Sequence, residues 1–358
     1  MKISALNPFI NNKISNCQVK NNISNNTATI PIKSAEKFSY PANYYVSFGS
    51  NNDVFEQMQQ DLKNKDIENL KKNFSKLTKT AQQNAIDTAE KFKDEGLTFD
   101  DYLIACAKRP QLFYRSPDTI ENNVRDLVRR FEDDGLTTKA YLPACVKKPQ
   151  LFYQSPDTIE KNVRNLVQKF QAEGLTAKAY LPACVKQPQL FTQTHDTIEN
   201  NVREVVKRFE KDGLTVEAYL PACVKQPPLF ALSPDTIAEH INMYKFCNRN
   251  QAIPLNTQDL FAAKLNNPME LCLSTSLILI KKLIIPKMFP EGNIPKELKG
   301  NRLREKLNDY LIAQNNINPN VQFNLEVKGD EKELRILQET IEKISQDAIG
   351  RNDAFKIV

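Results

Sequence analysis

Basic side chains recur at a fixed spacing in the middle of this chain. One series stands just before a proline in each copy of a repeated segment, another follows a valine, and both advance by 39 residues. Regular rows of lysine and arginine are suited to following the phosphates of a nucleic-acid backbone. The candidate contacts are the lysine column, Lys108, Lys147, Lys186 and Lys225, with its neighbours Arg109 and Lys148, and the arginine column, Arg125, Arg164 and Arg203.

The same residues also have a purely structural interpretation. A lysine near a helix C-terminus is favoured by the helix dipole, and Arg125 can pair with Glu121 or Asp118. Acidic residues recur at the same spacing and would repel phosphate if they shared a face with the basic ones. They are Asp118, Asp157, Asp196 and Asp235, with Glu121, Glu160 and Glu199.

Two positions after the repeated "LF" vary while their neighbours stay fixed. Such positions can contact a ligand, as in repeat proteins that use two or three side chains per unit, although surface drift gives the same pattern. The candidate ligand-reading residues are Tyr114, Arg115, Tyr153, Gln154, Thr192 and Gln193.

Other chemistry has little support. Cys106, Cys145, Cys184 and Cys223 fall on an apolar helix face, which favours core packing over a metal or disulfide. The two histidines, His195 and His240, have no nucleophile or paired carboxylate at catalytic spacing. No phosphate loop, dinucleotide fingerprint or zincin motif occurs. We therefore expect no enzyme activity, no metal and no cofactor.

The elements that position these residues follow from the 39-residue period. Residues 136–174 and 175–213 are identical at 26 positions, which indicates duplication of one unit. Gly135 is expected to close the first helix. Pro143 falls inside the second helix and should bend it, with a short first turn over 138–141 and then a kink or a fresh start at Leu142. "PQLF" suits a 3₁₀ turn. The predicted fold is an all-α solenoid of repeats, each a helix, a bent helix and a 3₁₀ turn, with a small α/β segment at the C-terminus.

The ends of the chain depart from this pattern. We expect a disordered, asparagine-rich leader, a helical N-terminal cap, four repeats, a degenerate fifth copy with a basic helical cap, and a β-α-β segment. The basic cap is marked by nine lysines and arginines against four acids in residues 264–306. The predicted boundaries are 1–50, 51–96, 97–252, 253–314 and 315–358.

Proline before a turn, leucine and phenylalanine within it, and glycine between the helices resemble the repeat of the mitochondrial transcription termination factor (mTERF) family. These features stand at Pro110, Leu112, Phe113 and Gly135, and the resemblance covers roughly residues 77–275. It implies a superhelix whose basic concave side binds nucleic acid. The identical 39-residue length and the internal prolines depart from the family pattern.

Composition restricts the class and location of the protein but does not identify its binding partner. The net charge of +6 is spread along the chain, and no secretory signal or membrane span is evident. Cysteine usage favours a cytoplasmic location, although unconventional export through the leader stays open. The leading hypothesis is a non-enzymatic repeat protein that binds nucleic acid through its basic columns. The alternative is a scaffold that binds a peptide or protein partner.

Overall fold

The computed structural model describes residues 52–358, and the predicted leader at residues 1–50 lies outside this range. The described chain is mostly helical. Its helices are α1 (Asn52–Lys63), α2 (Ile67–Phe74), α3 (Lys79–Lys91), α4 (Phe99–Lys108), α5 (Pro117–Arg130), α6 (Thr138–Lys147), α7 (Pro156–Lys169), α8 (Ala177–Lys186), α9 (His195–Phe209), α10 (Val216–Lys225), α11 (Pro228–Ala231), α12 (Pro234–Arg249), α13 (Thr257–Asn266), α14 (Thr275–Leu279), α15 (Ile285–Met288), α16 (Leu303–Ile317) and α17 (Glu331–Ile349).

The repeated part contains two rows of helices. The first helices, α3, α5, α7, α9 and α12, contact one another in succession, and so do the second helices, α4, α6, α8, α10 and α13. Each second helix also packs on a first helix, so the apolar stripes of both rows are buried between them. Single copies have no other surface against which to bury these stripes.

Threonine caps and left-handed glycines set the limits of each unit. The Thr137 hydroxyl accepts a hydrogen bond from the backbone N–H of Ala140 at 3.2 Å, and the second helices α4, α8 and α10 begin in the same way. Gly135 has a φ of +88°. It lies in the turn beyond Arg130, where α5 ends, so this glycine closes the turn and not the helix itself.

The second helix is continuous across its internal proline. α6 runs from Thr138 to Lys147 with Pro143 inside it, so of the two expected alternatives the fresh start at Leu142 is wrong, and the kink stays a prediction. Pro143 is exposed, which keeps its ring away from the core. The carbonyl that loses its helical partner belongs to Lys139, also exposed, where water can satisfy it. α8 and α10 contain a proline at the equivalent position.

The turns that follow the second helices join consecutive copies. The predicted 3₁₀ turn is confirmed in the first three copies, whereas the fourth, with a second proline, forms the short helix α11. In the second, third and fourth copies the turn phenylalanine packs edge-on against a buried tyrosine on the second helix of the previous copy. The ring centroids are 5.3 Å apart for Tyr102–Phe152, 5.3 Å for Tyr141–Phe191 and 5.4 Å for Tyr180–Phe230.

The C-terminal segment contains the two strands and the helix that its sequence predicts. β1 (Phe323–Leu325) pairs in parallel with β2 (Phe355–Ile357), and α17 connects them. This segment docks on the end of α12, where Arg249 pairs with Glu333 at 2.6 Å. Among the helices of residues 52–358, none has the length and apolar character to cross a bilayer.

Candidate functional site

The arginine column connects consecutive first helices. Arg164, on α7, donates to Glu160 of its own helix at 2.7 Å and to the backbone carbonyl of Arg130, the last residue of α5, at 2.8 Å. Its guanidinium carbon lies 4.8 Å from the ring centroid of Phe131. The fork of donors satisfies a free helix-end carbonyl while its flat face covers an aromatic ring, a combination that lysine cannot reproduce.

The other two arginines repeat this arrangement. Each pairs with a glutamate four residues earlier, reaches a second carboxylate and the last carbonyl of the preceding first helix, and covers a phenylalanine. The partners are Glu121, Glu95, the Lys91 carbonyl and Phe92 for Arg125, and Glu199, Glu173, the Lys169 carbonyl and Phe170 for Arg203. The arginine column is therefore committed to contacts within the fold.

A further series of basic residues, which the sequence reasoning missed, forms ion pairs with the recurring aspartates and glutamates. Arg130, at the end of α5, pairs with Asp157 at 2.5 Å and Glu160 at 2.7 Å, both on α7. Hydrogen bonds from Arg164 and Arg130 hold the pKa of Glu160 below its ordinary value. Equivalent pairs are Lys91–Asp118, Lys91–Glu121, Lys169–Glu199 and Arg208–Asp235. The 39-residue spacing of these four cations was the available signal.

After the third arginine the column changes its residue type. The next position is Asn242, but Lys245, one turn further along α12, pairs with Asp212 and lies 5.2 Å from the ring centroid of Phe209. It thus takes over the ion pair and the aromatic contact that arginine has in earlier copies. A search at exact 39-residue steps does not find this lysine.

The lysine column is only partly committed to the fold. Lys108 donates to the carbonyl of Val146 at 3.1 Å and Lys225 to that of Asn266 at 2.7 Å, so each touches the next second helix. Burial lowers the pKa of Lys108. Lys147 and Lys186 are exposed, and no partner within the described residues forms an ion pair or side-chain hydrogen bond with either.

The second helices of the two middle copies have basic but no acidic side chains. Residues 138–148 and 177–187 contain no aspartate or glutamate. The acids of this row lie on its other helices, for example Asp100 and Asp101 on α4 and Glu217 on α10. The basic side chains of the middle copies are Lys139, Lys147, Lys148, Lys178 and Lys186. This set is named the middle lysines.

The variable positions lie between the turns and their neighbours and not on an open surface. All six are half-buried. Arg115 lies 5.5 Å from the ring centroid of Tyr153, and Tyr114 packs edge-on against Phe55 at 6.3 Å. The Thr192 hydroxyl donates to the Gln189 carbonyl at 3.0 Å. Gln154 and Gln193 occupy the equivalent place after the turn in their copies.

The cysteines and histidines occupy structural positions. The four repeat cysteines are fully buried, and burial raises the pKa of the Cys145 thiol. The Nδ1 atom of His240 lies 2.7 Å from the carbonyl oxygen of Leu271. At the same position, earlier copies have an asparagine whose amide donates to a carbonyl of the following turn. His195 Nε2 lies 3.3 Å from Asp196. Within residues 52–358 no three His, Cys, Asp or Glu side chains group as metal ligands would.

Comparison with known proteins adds nothing to this description. The chain matches no protein-family model and no curated protein. The functional proposal rests on the contacts and charges of residues 52–358.

Proposed function

We propose that this protein is a non-enzymatic helical-repeat protein that holds nucleic acid along its second helices. The supporting observation is the state of Lys147 and Lys186, which are exposed on helices without acidic residues and have no partner among the described side chains. Fixed positive charge without a counter-charge attracts a polyanion at little desolvation cost. In this proposal the two rows form a solenoid related to the mTERF repeat.

The proposal assigns different roles to the two basic columns. The arginine column keeps its carboxylates and carbonyls and is left out of the interface. The middle lysines, together with the exposed Arg109, contact the ligand, and one repeat presents its lysines beside those of the next. Regular charge with few exposed aromatic side chains favours recognition of the sugar–phosphate backbone over reading of bases.

Fluorescence anisotropy with the full chain tests this function. Labelled single-stranded RNA, single-stranded DNA and duplex DNA would each be titrated at 50 and 200 mM salt. If the five middle lysines release counterions from a single strand, the logarithm of the binding constant falls with the logarithm of the salt concentration with a slope of about −3.5. Absence of binding to every probe at the lower salt contradicts the proposal.

One observation favours the alternative, a scaffold for a protein partner. The loop and turn of the fifth copy expose large apolar side chains, Ile253 at 85% and Met269 at 62%. Apolar groups of this size are more typical of a protein contact than of a phosphate contact. If every nucleic-acid probe fails, this region becomes the first place to test by substitution against protein partners.

A further inference from the structure

The fifth copy carries charge where the earlier copies have core residues. With the offset of 41 residues between the fourth and fifth copies, Lys264 stands at the position of Cys223 and Glu270 at that of Leu229. Both charged residues are less than 10% exposed, and their Nζ and Oε2 atoms are 2.6 Å apart. Lys264 also lies 4.0 Å from the ring centroid of Tyr244.

Two more lysines reach the same carboxylate from the following helical segment. Lys281 Nζ is 3.0 Å and Lys282 Nζ 2.9 Å from Glu270 Oε1. They lie in a π-helix, Ile280–Ile284, between α14 and α15. Pro286 has no amide hydrogen to give the carbonyl of Lys282, which disfavours the ordinary α-helical pattern here. π-turns of this kind are frequent at functional sites.

The cluster formed by Glu270, Lys264, Lys281 and Lys282, here the Glu270 cluster, has more positive than negative charge. Three ammonium groups against one carboxylate leave two positive charges. None of the three lysines has another carboxylate within ion-pair distance in the described part of the chain. The Lys281 and Lys282 side chains are 40% and 26% exposed, so solvent and a small ion can reach them.

We propose that the Glu270 cluster binds a phosphate dianion. The carboxylate uses one short contact from each ammonium group, whereas each such group has three donors. A dianion bridging Lys281 and Lys282 supplies the two missing negative charges and accepts the remaining donors. The inference is independent of the nucleic-acid proposal, because the middle lysines lie on other helices.

Isothermal titration calorimetry of the full chain tests the site, with inorganic phosphate and phosphoserine as ligands at constant ionic strength. Saturable 1:1 binding is expected. Tighter binding of phosphoserine identifies a phosphomonoester as the source of the dianion, and otherwise the source is free phosphate. No saturable binding of either ligand by the unmodified protein overturns the proposal.

Variants locate the site. Lys281→Gln with Lys282→Gln should weaken binding at least tenfold, whereas Lys287→Gln, on α15 outside the Glu270 cluster, should leave it unchanged. Glu270→Gln should strengthen binding severalfold because it removes the competing carboxylate. Lys147→Gln with Lys186→Gln should have no effect on this titration, which separates the site from the nucleic-acid interface. Equal binding by the unmodified protein and the Lys281/Lys282 variant assigns the ion to other lysines and overturns the proposal.

Discussion

The arginine column and the lysine column share one spacing but differ in their surroundings. Arg164 has a carboxylate, a helix-end carbonyl and an aromatic face as partners, all within the first-helix row. Lys186, on the second-helix row, has no side-chain or carbonyl partner in the described residues. Recurrence every 39 residues therefore does not distinguish a basic residue that stabilises the packing of the repeats from one that is free to bind a ligand. The contacts that each side chain makes within the fold distinguish the two cases.

The charge balance of the two rows differs in the same direction. The cations at the ends of α3, α5 and α9 pair with the acids at the beginning of the next first helix, as in Lys91–Asp118, Arg130–Asp157 and Arg208–Asp235. The charged side chains on the second helices of the middle copies are all lysines. Both rows are held by the apolar packing between them, and ion pairs add to the contacts between consecutive first helices. The lysines of the middle second helices form no such pairs within the described residues, so their charge is not neutralised by the fold.

The largest effect on stability is expected from the buried ion pair between Lys264 and Glu270. Glu270→Leu leaves Lys264 in the core edge without its partner and should lower the free energy of unfolding by about 3 kcal/mol. Adding Lys264→Cys restores the residues of the fourth copy and should return stability to within about 1 kcal/mol of the unmodified protein. Denaturant unfolding measures both variants. A double variant no more stable than Glu270→Leu would show that the two charges do not act as a pair.

A smaller loss of stability is expected from the arginine column, which is more exposed but has partners within the fold. Arg164→Ala removes an ion pair, a helix-end hydrogen bond and a cation–π contact, and should cost about 1–2 kcal/mol. Its matched control, Lys186→Ala, should change stability by less than about 0.5 kcal/mol. Equal losses for the two variants, measured by denaturant unfolding, would remove the distinction between the columns.

Acid should weaken the first-helix row. Hydrogen bonds from arginine hold the pKa of Glu160 below that of the unfolded chain. Such a carboxylate stabilises the fold above its unfolded pKa of about 4.3, and this contribution is lost as pH falls through the lower folded value. We expect the free energy of unfolding to decrease below about pH 4.5. The decrease should be smaller in Arg164→Ala, in which Glu160 has lost one partner. An unchanged pH dependence would contradict this assignment.

Much of the fold follows from the sequence. The helical units, the threonine caps, the 3₁₀ turns of the first three copies and the terminal strand–helix–strand pattern are local features, set by residues a few positions apart. The expected fresh start at Leu142 failed because propensity alone does not include burial. With the ring on the exposed face, packing of Tyr141, Leu142 and Cys145 keeps α6 continuous.

The candidate site was harder to predict for a physical reason. Spacing identified Arg125, Arg164, Arg203 and the lysine column, but it does not show that each arginine also bonds to groups of the preceding copy, 30 to 34 residues away in the sequence. Exact periodicity also hides substitutions that keep a role while moving one turn, as Lys245 does. Nor does a degenerate alignment show that Lys264 and Glu270 meet, because only the packed fifth copy brings them together.

The most direct test compares two double variants in the same anisotropy titration of single-stranded RNA. Lys147→Gln with Lys186→Gln removes charge from the second-helix row, and Lys161→Gln with Lys207→Gln removes the same charge from exposed positions on the first-helix row. We predict at least a tenfold loss of affinity and a shallower salt dependence for the first pair, and little change for the second. Equal losses for both pairs would contradict this prediction, because binding would then depend on net charge and not on the lysines of the second helices.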